Sequence, residues 1–211
     1  MKQTSTMKAI LIFACVTGLM GACAQQQNGT GIFEGYGDVG NPALKGNFIY
    51  DASSKTYTLS GGGMNIWDTT DQFFYAWKKI SGDFVMTTKV AFEGEGVNAH
   101  RKIGIMIRDA LTGESRYADI AIHGDGLTSL QYRSETGGIT REVTGPAGGN
   151  YITLEKAGTH IRMRTATDVL PTDITAEIEM DFPDEFYVGI FICSHEADVL
   201  ETAVFSNVSL K

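Results

Sequence analysis

Three carboxylates near the end of the sequence have a spacing that suits acid–base chemistry. Glu177, Glu179 and Asp181 alternate with Ile178 and Met180, so a β-strand would place all three on one face, about 7 Å apart along the strand. Enzymes that cleave glycosidic bonds use paired carboxyl groups at about this separation. The same alternation is typical of the solvent-facing side of an amphipathic strand, so the pattern allows either interpretation.

A second set of polar residues belongs to neighbouring predicted strands. His123 and Asp125 flank a predicted hairpin turn, and Arg108 and Arg133 lie in adjacent apolar runs. A histidine and a carboxylate can exchange protons when they are within hydrogen-bonding distance, so these four residues are predicted to bind a ligand. Asp125 is also a residue that tight turns prefer, and Arg108 can equally pair with Asp109 at a strand end.

Three aromatic residues are candidates for contact with a sugar ring. Trp67, Tyr75 and Trp77 are large and flat, and such side chains dominate recognition sites because they bury much apolar area. Aromatic residues at alternating positions are also typical of a sandwich core. Binding and core packing both remain open for these three residues.

The sequence predicts no metal site. Near the C-terminus, a histidine has two acidic neighbours, His195 with Glu196 and Asp198, but no second histidine lies at ligand spacing. Calcium could bind through Asp68, Asp71 or Glu93–Glu95, but the sequence contains no recognisable calcium-binding loop there. The run His100–Lys102 is predicted to be an exposed strand start.

Short alternating runs separated by turn residues dominate the chain from Leu44 onward. This regular spacing of short alternating runs and turns predicts an all-β sandwich or barrel. Two hairpins are predicted, one around Ala52–Ser54 and one around Gly124–Gly126. No segment after the N-terminal region has sustained helical periodicity.

The C-terminal stretch predicts the most deeply buried part of the fold. Phe186–Cys193 is an almost unbroken apolar run, too short for a comfortable helix, and is predicted to be a strand buried on both faces. Val199–Leu210 is predicted to be a second strand after a polar turn, so the C-terminus closes the sheet system. Cys193 is predicted to be a small core residue.

The N-terminus predicts export. Lys2 and Lys8 precede an apolar run that ends in small residues, as in a secretory signal peptide, and the run is too short to span a bilayer. The residues before Cys23 resemble a bacterial lipobox, which implies lipidation of Cys23; an ordinary cleaved signal is the alternative. We therefore predict a signal peptide over 1–22, a flexible tether over 23–37 and one folded domain over 38–211.

The charge balance excludes one class of partner. The sequence has 17 Lys and Arg against 25 Asp and Glu, a formal net charge of −8, and loss of the signal peptide removes two lysines and no acid. An acidic surface repels phosphate backbones, so nucleic acid is not expected as a partner.

Five short motifs are spread along the chain: Gly40–Pro42, Lys102–Arg108, His123–Gly126, Tyr187–His195 and Ala203–Val208. Together they resemble a bacterial family of concanavalin A-like jelly-roll domains. Its relatives include the C-terminal domain of β-xylosidases and domains beside TolB-type β-propellers of the periplasm, and the resemblance covers about Asp38 to Leu210.

The resemblance implies a two-sheet antiparallel sandwich and does not imply catalysis. We expect an exported lipoprotein of the cell envelope, in the outer membrane on its periplasmic or surface side, that binds a polysaccharide or oligosaccharide or assists a glycan-processing system, with a lipid anchor as its membrane contact. A glycoside hydrolase or lyase using the acidic strand face is one alternative. A protein-interaction module of an envelope complex is the other.

Overall fold

The computed structural model describes Met1 and residues 29–211, so Cys23 and residues 2–22 of the predicted signal peptide lie outside the described residues. The described part is all-β, as the alternating pattern predicts, and contains no helix, hence none that could span a membrane. Its sixteen strands are β1 (Gly35–Val39), β2 (Asn47–Asp51), β3 (Thr56–Gly63), β4 (Ile66–Trp67), β5 (Thr70–Asp71), β6 (Phe73–Ser81), β7 (Phe84–Glu93), β8 (Lys102–Arg108), β9 (Tyr117–His123), β10 (Thr128–Arg133), β11 (Arg141–Thr144), β12 (Tyr151–Ala157), β13 (His160–Ala166), β14 (Ala176–Glu179), β15 (Glu185–Cys193) and β16 (Glu196–Leu210).

Two antiparallel seven-stranded sheets form a sandwich. The front sheet has the strand order β1-β6-β15-β8-β9-β10-β11, and the back sheet has the order β14-β13-β12-β7-β16-β3-β2. The predicted hairpins are present as β2–β3 and β9–β10. A two-stranded ribbon, β4–β5, accompanies the two sheets.

The C-terminal strands lie in opposite sheets. Strand β15 is central in the front sheet, between β6 and β8, and is buried from Val188 to Cys193, which confirms the predicted buried strand. Strand β16 pairs with β7 and β3 in the back sheet, so the two strands do not form a hairpin with each other. The chain crosses between the sheets at Ser194–His195, and His195 takes a φ of 62° there.

The front sheet is buried on both of its faces. On β8, Ile103, Ile105 and Ile107 point into the core between the sheets, where they join aliphatic and aromatic side chains of both layers. Met106, on the opposite face of β8, packs in a second apolar cluster with side chains that include Ile66. The outer face of the front sheet therefore needs a covering layer, since its apolar side chains would otherwise meet water.

A buried ion cluster holds that covering layer in place. Arg133 at the end of β10 donates two hydrogen bonds to the carboxylate of Asp71 in β5, at 2.9 and 2.7 Å, and Arg108 of β8 lies 3.5 Å from the same carboxylate. Arg133 also donates to the carbonyl oxygens of Trp67, Gly113 and others, and Arg108 donates to those of Ala110 and Thr112. The cluster thus ties segments 65–72, 109–116 and 138–140 to the sheet.

The folded part begins before the predicted boundary. Phe33 is only 3% exposed and packs in the main core, and β1 starts at Gly35. Residues 33–37, which we predict as tether, therefore belong to the sandwich. The reason is that Phe33 packs edge-on against Tyr57, at 5.0 Å between ring centroids. The sequence does not predict this contact, because Phe33 is a single aromatic residue in a polar stretch.

Replacing Asp71 by Asn tests the ion cluster. The amide keeps the shape but removes the charge, which leaves two buried arginines without a carboxylate, so we expect the free energy of unfolding to fall by about 3 to 5 kcal/mol. Urea denaturation followed by tryptophan fluorescence measures it. Asp168→Asn, which breaks an exposed pair with Lys89, is the control and should change stability little. Equal effects of the two substitutions would contradict a structural role for the cluster.

Candidate functional site

A cavity of about 220 Å³ opens on the outer face of the front sheet. It lies at the edge of the covering layer, where strands β8 to β11 meet the ribbon and the β15–β16 turn. Seven of the nine lining residues have polar side chains and one is a large aromatic residue; the nine are Asn65, Trp67, His100, Lys102, His123, Leu127, Gln131, Glu142 and His195.

Strand register brings most of these side chains together. Lys102 opens β8 directly opposite His123 at the end of β9. Gln131 on β10 is opposite Glu142 on β11, so the two side chains share the outer face. Trp67 comes from β4, which the Asp71 cluster holds over the sheet. The cavity is therefore built on rigid strands rather than on loops alone.

Lys102 forms the floor of the cavity. It is only 3% exposed, and its ammonium donates to Asn65 Oδ1 (2.9 Å), the Ile66 carbonyl (2.9 Å) and Gln131 Oε1 (3.3 Å). The same ammonium lies 5.4 Å from the ring centroid of Trp67. Burial lowers the pKa of Lys102 from its ordinary value. The prediction of an exposed strand start at His100–Lys102 is wrong for Arg101 and Lys102, both of which are buried.

Three of the four histidines in the sequence line this one cavity. The ring centroid of His100 lies 6.0 Å from that of His123 and 5.7 Å from that of His195. Nδ1 of His123 is 3.0 Å from the Leu127 carbonyl oxygen, so it carries the proton and Nε2 remains for other partners. Burial lowers the pKa of His123 to about 4, and burial also lowers the pKa of His195. Both rings are therefore neutral at pH 7.

Asp119 lies on the same face of β9 as His123 and is fully buried. Both of its carboxylate oxygens lack a hydrogen-bond partner among the described residues, and so does the hydroxyl of Ser129 on β10. Burial raises the pKa of Asp119 well above its ordinary value, because an ionised carboxylate without partners is costly in an apolar environment. Asp119 is therefore a buried acid whose ionised form is disfavoured on this face.

The structure places two of the predicted ligand-binding residues, Trp67 and His123, at the cavity. Arg108 and Arg133 are completely buried, and their guanidinium groups are occupied by Asp71 and by carbonyl oxygens. Asp125 is exposed and accepts a hydrogen bond from the Leu127 amide at 3.0 Å, so it shapes the turn that presents the Leu127 carbonyl to His123.

Tyr75 and Trp77 lie elsewhere on the front sheet. Tyr75 is fully buried and donates its hydroxyl proton to the Met106 carbonyl oxygen at 2.9 Å. Trp77 is half-buried on the same strand, 5.8 Å from Tyr75 between ring centroids, and it packs close to Gly35 of β1. These aromatic side chains help to cover the sheet and do not line the cavity.

The acidic face lies on the opposite side of the sandwich. Glu177 and Glu179 are exposed on β14, the edge strand of the back sheet, and Asp181 falls beyond the end of that strand. Glu177 accepts hydrogen bonds from Arg162 and His160, both at 2.8 Å, and the Arg162 contact holds its pKa below the ordinary value. Such a carboxylate stays ionised, which suits a surface ion pair and not a general acid.

No group of three potential metal ligands among residues 29–211 is close enough to hold an ion. Asp71, named above as a calcium candidate, is occupied by Arg133. Glu196, beside His195, accepts a hydrogen bond from Asn98 at 2.8 Å.

Sequence inspection missed most of the cavity lining. Asn65, Gln131 and Glu142 have no motif that marks them, and Lys102 looks like an ordinary strand start. One pattern could have found the site: His123 and His195 follow apolar runs and His100 precedes one, and an antiparallel sheet brings the start of one strand and the ends of its neighbours to the same edge.

The chain matches no known family profile and no curated protein. Solved structures do share its fold. A functionally unknown protein from Saccharomyces cerevisiae superposes with a TM-score of 0.59 at 19% identity, covering 81% of this chain and 98% of that one. The carbohydrate-binding module CBM66 from Bacillus subtilis gives 0.52 at 15% identity, covering 85% and 97%. A basic winged bean lectin, solved with the Tn antigen, gives 0.53 at 10% identity, covering 83% and 96%.

The chain shares the two-sheet β-sandwich fold of these three structures. The agreement spans both sheets, since more than 80% of the chain is covered in each of these comparisons. At these identities the similarity shows the fold and leaves the ligand to the chemistry of the cavity.

Replacing His123 by Gln tests the environment of this ring. The folded protein binds fewer protons than the unfolded chain between pH 6.5 and 4, because the pKa of His123 falls to about 4 on folding. His123 should therefore lower the free energy of unfolding as the pH falls through this window, by up to about 3 kcal/mol. We expect this part of the pH dependence to disappear in His123→Gln, as measured by urea denaturation at pH 7 and pH 5.

His160→Gln is the matched control for that experiment, because His160 lies on the outer face of the back sheet, where it contacts Glu177. An unchanged pH dependence in His123→Gln would show that the ring is not buried as a neutral imidazole.

Proposed function

We propose that this protein is an exported, lipid-anchored module that binds carbohydrate in the cavity and catalyses no reaction itself. The observation that carries the proposal is the composition of the cavity: the side chain of Trp67 lies beside a ring of hydrogen-bonding groups on rigid strands. A flat aromatic ring packs against the C–H face of a sugar, while polar side chains bind its hydroxyl groups.

The size of the cavity favours a small part of a glycan. A volume of about 220 Å³ equals the space of roughly seven water molecules, which is below the usual range for drug-sized ligands. A single sugar residue fits such a space better than an extended chain does. The module would therefore bind one residue, such as the end of a polysaccharide or a side branch.

The structural neighbours support the same class of ligand. One is a carbohydrate-binding module and another is a lectin solved with a glycan antigen. Because their sequence identity to this chain is low, they support a carbohydrate-related role through the fold alone, and the assignment to this cavity rests on its own residues.

Replacing Trp67 by Ala tests the proposed site. Loss of the aromatic surface should weaken binding of any sugar that the protein retains by about tenfold or more, since a buried aromatic contact contributes a large share of the affinity. A glycan array would find the sugar, and isothermal titration calorimetry would measure the change. Trp77→Ala is the matched control, because Trp77 lies on the same sheet outside the cavity. Loss of binding in Trp77→Ala alone would move the site away from the cavity.

The predicted anchor is tested separately. If Cys23 is lipidated, the full-length protein made in a bacterial host should enter the detergent phase on phase separation, and Cys23→Ser should stay in the aqueous phase because it lacks the acyl chains. Cys193→Ser, at a cysteine buried in the sandwich, is the control. Equal partitioning of the wild type and Cys23→Ser would contradict lipidation at this residue.

A further inference from the structure

The cavity floor contains a buried cation whose charge has no ion-pair partner. Four Lys and Arg side chains are buried among the described residues. Arg101, Arg108 and Arg133 each have a carboxylate oxygen within 3.5 Å. The contacts of Lys102 are to an amide oxygen of Asn65, a backbone carbonyl and the amide oxygen of Gln131, all of them neutral. Buried lysines are normally paired, so Lys102 departs from the pattern of this protein itself.

Within residues 29–211, no carboxylate forms an ion pair with the Lys102 ammonium. Asp71 is bound to Arg133 and lies beside Arg108, and Glu142 is exposed on the edge strand β11. Asp119 is not within the 4.0 Å ion-pair distance of Lys102, and its carboxylate oxygens have no hydrogen-bond partner among the described residues. Asp119, Asp71 and Glu142 act on Lys102 only through space, against the larger effect of burial, so the cavity floor holds a buried ammonium without a direct carboxylate contact.

We infer that the cavity recognises an acidic sugar residue, with the sugar's carboxylate against the Lys102 ammonium and its ring against Trp67. This inference rests on the proposed function and names its ligand class. The ammonium and the indole ring lie 5.4 Å apart, a distance that one sugar ring and the carboxylate on it can bridge. A carboxylate is the group that a desolvated ammonium binds most strongly.

Gln131 is the group that gives way to the ligand. Its two side-chain hydrogen bonds are long, 3.3 Å from Lys102 and 3.4 Å to Glu142, so little is lost when its amide turns. The ligand carboxylate then replaces the Gln131 oxygen on Lys102, and the Gln131 amide nitrogen donates to the ligand. The rings of His123 and His100 are placed to hydrogen-bond the remaining hydroxyl groups.

Glu142 acts against an anionic ligand from the rim. It lines the cavity and carries the same charge as the ligand, so it lowers affinity by repulsion while it stays solvated. Removing the charge of Lys102 and removing that of Glu142 should therefore change the affinity for an acidic sugar in opposite directions. This difference distinguishes charge recognition from general damage to the site.

The experiment compares three matched probes on the wild-type protein: galacturonic acid, its methyl ester and galactose, with glucuronic acid and glucose as a second pair. We expect the free acid to bind about tenfold or more tightly than the ester, and this preference to fall as salt is raised. Calorimetry at pH 7 measures both effects. Because this comparison needs no variant, it holds even if a substitution at Lys102 prevents folding.

Variants then locate the charge. Lys102→Met should bring the ratio of acid affinity to ester affinity down to about one, whatever it does to neutral-sugar affinity, whereas Glu142→Gln should strengthen acid binding about two- to fivefold. Lys45→Met, at an exposed lysine, is the control and should change nothing. Equal binding of the acid, ester and neutral sugar, all lost in Trp67→Ala, would overturn the inference and leave the proposed function intact. Absence of binding for every sugar, on a glycan array as well as here, would overturn both.

Discussion

The carboxylate of Asp71 is the contact on which the outer half of this molecule depends. A buried ion pair contributes little to stability when compared with apolar side chains, but it is costly to break because each charge then remains buried alone. Asp71 compensates two arginines at once, and those arginines bind carbonyl oxygens of segments distant in sequence. Arg133 alone contacts carbonyls near residues 67, 113 and 138. The cluster therefore fixes the positions of three irregular segments. Nonspecific apolar packing alone would not do so, because apolar contacts do not select one arrangement.

The cavity follows from the shape of this covering layer. A sandwich needs one buried face per sheet, yet the front sheet also presents Phe73, Tyr75 and Phe191 on its outer side. The layer that hides them ends at the row of Lys102, His123 and Gln131, where Asn65 and Ile66 still cover the Lys102 ammonium and polar side chains line the edge. The site is thus a boundary between a second apolar core and water. Such a boundary gives a ligand both a partly desolvated floor, where charged contacts are stronger, and an open side for entry.

The sequence was informative about strands and much less so about the site. An almost unbroken apolar run located β15, and short alternating runs around turn residues located both hairpins, because a period of two follows directly from strand geometry. The same logic misassigned Arg108 and Arg133, since a charged residue within an apolar run predicts a ligand site as readily as a buried ion pair. What decides between the two is Asp71, about 40 to 60 residues earlier in the chain, and no local pattern links it to either arginine. Lys102 was missed for a related reason: its burial depends on Asn65 and Ile66, which belong to the covering layer rather than to its own strand.

The cavity surrounds the Lys102 ammonium with hydrogen-bonding groups. Burial shifts the pKa values of His123 and His195 downwards, so both rings are neutral at pH 7. Burial also raises the pKa of Asp119 well above its ordinary value. The ammonium is therefore the group of the cavity that best suits an anionic ligand. The selectivity of such a site comes from the uncompensated charge of Lys102. A neutral ligand would have to compete with the hydrogen bonds that the ammonium already makes. A carboxylate replaces the weakest of these hydrogen bonds with a stronger, charge-assisted one.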